Sequence, residues 1–139
     1  MRGLSIIILV LLLYTPSFAG GGLVLKNAWI REAPPGAVNL AGYGEFKNVG
    51  DETVTITSVS SPYFEKVSLH ATSMHEGMMR MKSLPSLKLK PGELVSFKPG
   101  GKHLMLNKPK QRIRSGLMLP IAFKLLSGKT VIVKFEVRK

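Results

Sequence analysis

The residues best suited to chemistry in this chain are its histidines and methionines, and they are concentrated in one stretch. Residues 69–108 contain all three histidines and five of the six methionines other than Met1, in a chain of 139 residues with no cysteine. Thioether sulfur is a soft, uncharged donor that favours Cu(I) over zinc and the hard cations, and neutral imidazole suits several metals. The stretch therefore predicts a binding site for a soft monovalent metal, with Cu(I) as the favoured ion.

Strand periodicity predicts how these donors are placed. Side chains two apart in a strand share a face, so the two leucines of the run 103–106 should face the core. His103 and Met105 should then project together away from it. The same alternation puts the imidazole of His70 on the non-core side. Met81 completes the set if the hairpin that carries it folds over that side.

Apolar residues at every second position, with Gly and Pro turns between them, predict many short strands and no helix. The last two strands, at residues 117–125 and 131–137, are the clearest. Earlier strands are expected at 23–31, 40–48 and 54–59, the third with a bulge, whereas residues 78–84 fit either a strand or a loop. The pattern predicts an all-β fold, an antiparallel Greek-key β-sandwich.

The first 19 residues have the form of a secretory signal peptide. They contain one positive charge at Arg2, an apolar run over residues 4–14, and small residues before a predicted cut after Ala19. Residues 20–139 are expected to form one domain. No later segment approaches the roughly 20 apolar residues of a membrane span, and no cysteine follows the cut to carry a lipid. We therefore expect a periplasmic protein and a monomer.

The positive charge of the chain lies in its second half. The formal net charge is +12; residues 1–81 contain six basic and six acidic side chains, and residues 82–139 contain fourteen and two. For an exported protein this indicates an anionic membrane surface or an acidic partner before nucleic acid. If the segment after Met105 is extended, four side chains form a positive stripe near the donors: Lys108, Lys110, Arg112 and Arg114. The alternative is a solvated edge protected from aggregation by charge.

The spacing of four donors resembles that of the periplasmic PCu(A)C (PCuAC) copper chaperones. The family pattern is His, ten residues, Met, twenty-one residues, His, one residue, Met, and His70, Met81, His103 and Met105 fit it without a gap. The resemblance extends to residues 29–31, the turn at 48–51 and the run 99–106. It implies a cupredoxin-like sandwich that binds one Cu(I) through these four side chains. It also implies delivery to the CuA centre of cytochrome c oxidase, often with a Sco-type thiol protein taking part.

Other functions remain open on the sequence. A copper-sequestering or resistance protein would use the same donors without a docking surface, and an exported adhesion or ligand-binding sandwich would need none of them. Blue copper electron transfer is excluded because its site needs a cysteine thiolate. We expect no enzyme, because there is no phosphate loop or nucleophile elbow, and none of the eight carboxylates pairs obviously with a histidine.

The remaining soft donors have two interpretations. A second, weaker copper site or an aid to transfer would explain Met74, His75, Met78 and Met79, and simple loop composition explains them equally well. Met118 is better explained by packing. If imidazoles bind the metal, affinity should fall as the pH drops through about 6.5, where free histidine is protonated.

Overall fold

A computed structural model describes residues 21–139; the predicted signal peptide at residues 1–19 lies outside them. Within the described residues the chain forms ten strands and no helix, so none that could span a bilayer. The strands are β1 (Leu23–Arg31), β2 (Asn39–Asn48), β3 (Val54–Ser60), β4 (Phe64–His75), β5 (Met78–Leu84), β6 (Leu87–Leu89), β7 (Leu94–Phe97), β8 (Lys102–Pro109), β9 (Met118–Leu125) and β10 (Thr130–Arg138). The predicted all-β class is confirmed.

The strands join in one curled sheet in the order β5-β4-β8-β7-β2-β1-β10-β9-β3-β6, and additional pairings join β4 to β3 and β8 to β2. The pairing of β4 with β3 closes the sheet on itself around a single core. Neighbours such as β2 with β8 and β3 with β9 are far apart in sequence, as Greek-key connections require. Pairing is antiparallel except between β1 and β10 and between β7 and β8. The parallel pairs arise where β10 returns beside the first strand and where β7 meets the start of β8.

The core is built from the inward-facing residues of nearly every strand, with phenylalanines at its centre. The Phe46 ring stacks on Phe97 with centroids 4.4 Å apart and meets Phe123 edge-on at 5.4 Å. On β2, Gly42 pairs with Leu104 of β8, and a Cβ atom at position 42 would lie 3.3 Å from the Leu104 Cβ. The missing side chain therefore lets β8 approach β2 closely. The bulge predicted in β3 is confirmed by a register shift after Ile56.

The β4–β5 hairpin is long and regular, and it settles the ambiguous segment 78–84 as a strand. Its turn is Glu76-Gly77, with φ of 51° and 76°, which is the left-handed pair that a tight two-residue hairpin needs. Pairing runs without a shift from Leu69↔Leu84 to His75↔Met78. Because β5 pairs only with β4 and ends the sheet, both faces of the hairpin tip are exposed to solvent.

Two polar side chains are buried among the described residues, Asn48 and His103. Asn48 holds the turn after β2 against β6. Its Nδ2 donates to the carbonyl oxygens of Glu52 at 2.7 Å and Leu89 at 3.0 Å, and its Oδ1 accepts from the Gly50 N–H at 3.0 Å. The bond to the Leu89 carbonyl is the buried one, and without it that oxygen would have no water to bind.

Replacing this amide should destabilise the fold. We expect Asn48→Ala to lower the free energy of unfolding by about 1–3 kcal/mol, since it leaves the buried Leu89 carbonyl without its donor. Urea denaturation measures the change. The control is Thr57→Ala, which removes one exposed hydrogen bond to the Lys124 carbonyl and should stay within about 0.5 kcal/mol. Equal losses in the two variants would contradict this role for Asn48.

Candidate metal centre

The centre of the candidate site is the pairing of β4 with β8. His70 lies directly opposite His103, and Ser68 lies directly opposite Met105. The two imidazole rings are stacked, with centroids 5.7 Å apart and planes 21° from parallel. Since β8 also pairs with β2, it is an interior strand, and His103 and Met105 do not lie at an edge of the sheet.

The predicted alternation along β8 holds, with one difference in burial. Leu104 and Leu106 are fully buried in the core, so His103 and Met105 occupy the other face. His103 is nevertheless only 7% exposed, whereas Met105 is half-buried. One imidazole of the pair is therefore shielded from bulk water.

The pairing registers of β4 with β5 and with β8 place both methionines of the predicted set beside His70. Met105 is diagonal to His70 across β8, and Met81, which pairs with Thr72, is diagonal to it across β5. Diagonal neighbours in a sheet are about 7–8 Å apart, within reach of a long side chain. The two methionines lie on opposite sides of His70, and Met81 is 63% exposed. The structure thus groups His70, His103 and Met105 closely and leaves Met81 as the outermost member of the set.

Hydrogen bonds orient both imidazoles. His103 Nδ1 lies 3.3 Å from the Gly101 carbonyl oxygen, which can only accept, so Nδ1 carries the proton and Nε2 keeps a free lone pair. His70 Nε2 lies 2.8 Å from the Ser68 hydroxyl, and its buried Nδ1 has no hydrogen-bond partner. An unpaired buried nitrogen is uncommon in proteins and suits a metal ligand. Ser68 and Gly101 were not predicted as partners of the histidines, although each precedes its histidine by two residues and so shares its face.

The surroundings keep His70 neutral. Burial lowers the pKa of His70 below 6.5, and positive charge on His103 and on Lys66 lowers it further. A lowered pKa means that the lone pair of His70 stays available at a lower pH than in free histidine. The loss of binding predicted near pH 6.5 is therefore displaced to more acidic pH for this ligand.

The donors of this face are soft. Within residues 21–139 there is no group of three or more His, Cys, Asp or Glu side chains that could bind a metal ion. The histidines are accompanied only by thioethers, which hard cations and Zn(II) do not favour. The chemistry of the donor set therefore fits Cu(I).

The predicted positive stripe is not formed. β8 ends at Pro109, and Lys108 has a left-handed φ of 50°, which breaks the alternation that the stripe required. The Lys108 ammonium lies 3.6 Å from the Glu65 carboxylate on the surface. Pro109 pairs with Phe64, six residues along β4 from His70, so this end of β8 lies about 20 Å from the two histidines.

Known proteins resemble this chain in sequence and in fold. The sequence family described as "Putative lipoprotein LpqE-like" matches residues 23–137. The chain belongs to the LpqE-like family. A relative from Leifsonia xyli subsp. xyli (strain CTCB07), named "Putative lipoprotein Lxx21020", is 26% identical to this LpqE-like chain over 125 residues. The alignment covers 89% of the chain and 74% of the relative.

Two solved structures resemble the LpqE-like chain closely in fold. The copper-bound PCuAC domain from PmoF2 matches with a TM-score of 0.72 and 19% identity, over 89% of this chain and 98% of that one. The solution structure of CuI-DR1885 from Deinococcus radiodurans matches with a TM-score of 0.66 and 26% identity, over 81% of this chain and 76% of that one. The predicted cupredoxin-like fold and the resemblance to the PCu(A)C family are confirmed.

The environment of His70 can be tested without metal. We expect NMR titration of the His70 ring to give a pKa below 6.5, and His103→Gln to raise that pKa, because a neighbouring positive charge no longer opposes protonation. The rise should be partial, since burial remains. Lys108→Gln removes a distant charge and should leave the titration unchanged. A His70 pKa at or above 6.5 in the wild type would contradict this description.

Proposed function

We propose that this LpqE-like chain is an exported copper chaperone that binds one Cu(I) through His70, Met81, His103 and Met105. The observation that carries the proposal is the direct pairing of His70 with His103, with a methionine diagonal to His70 on either side. Imidazole and thioether are both neutral donors suited to Cu(I). The similarity to CuI-DR1885 and to a copper-bound PCuAC domain supports the choice of ion.

Differences in exposure among the four ligands suit a carrier that must release its metal. His103 would bind from a buried position with Nε2, because its Nδ1 is occupied by the Gly101 carbonyl. Met81 would bind from the outside, where an incoming ligand of a partner can replace its sulfur first. No ligand carries a negative charge, so release does not require the separation of Cu(I) from a carboxylate or thiolate. We therefore propose transfer by stepwise ligand exchange that begins at Met81.

The proposed recipient is the CuA centre of cytochrome c oxidase, with a Sco-type thiol protein taking part. This assignment rests on the resemblance to PCu(A)C chaperones. The basic second half of the chain would favour an acidic partner or the anionic membrane surface near a membrane-bound oxidase. In this proposal the protein acts as a monomer and performs no catalysis.

Export is proposed from the leader and the relatives together. Residues 1–19 would be a cleaved signal peptide, and residues 20–139 the mature copper-binding domain. The family and the relative from Leifsonia xyli both have the word lipoprotein in their names, which is consistent with a protein of the cell envelope. In an oxidising compartment, thioethers would keep their function where free thiolates are prone to form disulfides.

A Cu(I) titration against a competing chromophoric chelator tests the site. We expect the mature protein to bind one Cu(I) tightly, and His103→Ala and Met81→Leu each to weaken that binding more than about 10-fold, the least that removal of a supporting group costs. The control is Met118→Leu. Contrary to the packing expected from the sequence, the Met118 thioether is exposed on β9, outside the β5-β4-β8 face that holds the candidate ligands. Tight binding that none of the ligand variants affects would refute the assignment.

A transfer assay separates delivery from sequestration, since both functions use the same donors. We expect the copper-loaded protein to pass Cu(I) to an apo CuA domain faster than free chelated Cu(I) loads it. The rate should fall with rising salt, because the mature chain, without Arg2, keeps a net charge of +11 that promotes encounter with an acidic partner. Copper that stays on the protein in the presence of this domain would favour the alternative, a periplasmic copper-sequestering or resistance protein.

A further inference from the structure

Three exposed methionines form a cluster on the β4–β5 hairpin, on the same face as His70. Met74 and Met79 are directly opposite each other, and Met81 is two residues from Met79 along β5. Directly opposed residues have Cβ atoms about 5 Å apart, and diagonal neighbours such as Met74 and Met81 are about 7–8 Å apart. The three thioethers can therefore meet at one point above the hairpin. We call this group the tip cluster.

Packing does not explain the tip cluster. Its side chains are 67%, 68% and 63% exposed, and β5 has no neighbour other than β4. Methionine usually fills irregular gaps in a core, and these three residues fill none. Four of the ten exposed large hydrophobic side chains in residues 21–139 are methionines of this hairpin. An apolar, soft-donor surface on a projecting hairpin points to a ligand that binds sulfur.

We propose that the tip cluster is a second, weaker Cu(I) site through which the metal enters the four-donor site. This inference rests on the proposed function. Three thioethers alone give a neutral, exposed site that water can reach, so its affinity should be lower than that of a site with two imidazoles. Met81 belongs to both sets, and its diagonal position to both Met74 and His70 joins them.

The transfer between the two sites is a ligand exchange with no change of charge. Cu(I) bound to Met74, Met79 and Met81 would exchange the first two sulfurs for the nitrogens of His70 and His103, while Met81 stays bound. Copper remains Cu(I) throughout. No proton is released, because His103 keeps its proton on Nδ1 and neutral His70 already offers a lone pair. The step therefore needs no oxidant, reductant or base.

The hairpin contains its own matched control. Met78 is paired with His75, one position beyond the Met74–Met79 pair, and so lies on the opposite face of the same hairpin. It is 62% exposed, nearly the same as the three methionines of the tip cluster. A binding role that depends on the shared face should involve Met79 and exclude Met78.

The test is a titration of the mature protein, labelled with 13C at the methionine methyl groups, with Ag(I), a soft monovalent ion that is not oxidised during the measurement. We expect two equivalents to bind. The first should shift the methyl signals of Met81 and Met105. Because Met81 is then already bound to the first ion, the second should shift those of Met74 and Met79. The double variant Met74→Leu/Met79→Leu should keep the first equivalent and weaken the second by more than about 100-fold. Met78→Leu should keep both.

The outcomes distinguish this inference from the proposed function. Binding of a single equivalent that leaves the Met74 and Met79 signals unmoved would overturn the tip cluster while the four-donor site stands. An equal loss of the second equivalent in Met78→Leu would overturn it too, because binding would then not depend on the face. In the variant His70→Ala/His103→Ala, shifts confined to Met74, Met79 and Met81 would support the tip cluster even though the four-donor site is lost.

Discussion

The register between β4 and β8 is the constraint on which the candidate site depends. The ladder runs without a shift from Phe64↔Pro109 to Ala71↔Lys102, and it places His70 opposite His103. This register is held by the core, because Leu69, Leu104 and Leu106 are buried on the other face of the same strands. A slip of this register by one residue would expose those leucines to solvent and bury the donors. The fold would then lose the free energy that burial of the leucine side chains contributes. Hydrophobic packing on one face thus determines which candidate donors meet on the other.

The four candidate ligands on this face differ in their exposure to solvent, and the proposed release of the metal from its outer ligand depends on that difference. His103 is buried, His70 and Met105 are half-buried, and Met81 is largely exposed. Burial lowers the pKa of His70 and so favours its neutral form, and exposure leaves the outer thioethers open to exchange. A rigid inner pair on an interior β-ladder and soft outer donors on a projecting hairpin can together bind a metal and still release it.

Much of the fold was predictable from local pattern. The bounds of β1, the bulge in β3 and the inward leucines of β8 follow from two-residue periodicity and turn residues alone. The segment of β5 was ambiguous because it has no apolar alternation, and only pairing with β4 makes it a strand. The positive stripe after Met105 failed because a left-handed Lys108 interrupts the extended chain. The parallel contact of β1 with β10 joins the two ends of the described chain, which no local pattern encodes.

The sequence by itself determined the donor types, their spacing and the faces of His70, His103 and Met105, because side-chain chemistry and strand alternation are local properties. Tertiary structure decided which strands are neighbours, and hence that His70 stacks on His103 and that Ser68 and the Gly101 carbonyl orient them. It also decided that His103 is buried while Met81 is exposed. The physical reason is that strand pairing and burial arise from contacts between residues distant in the chain.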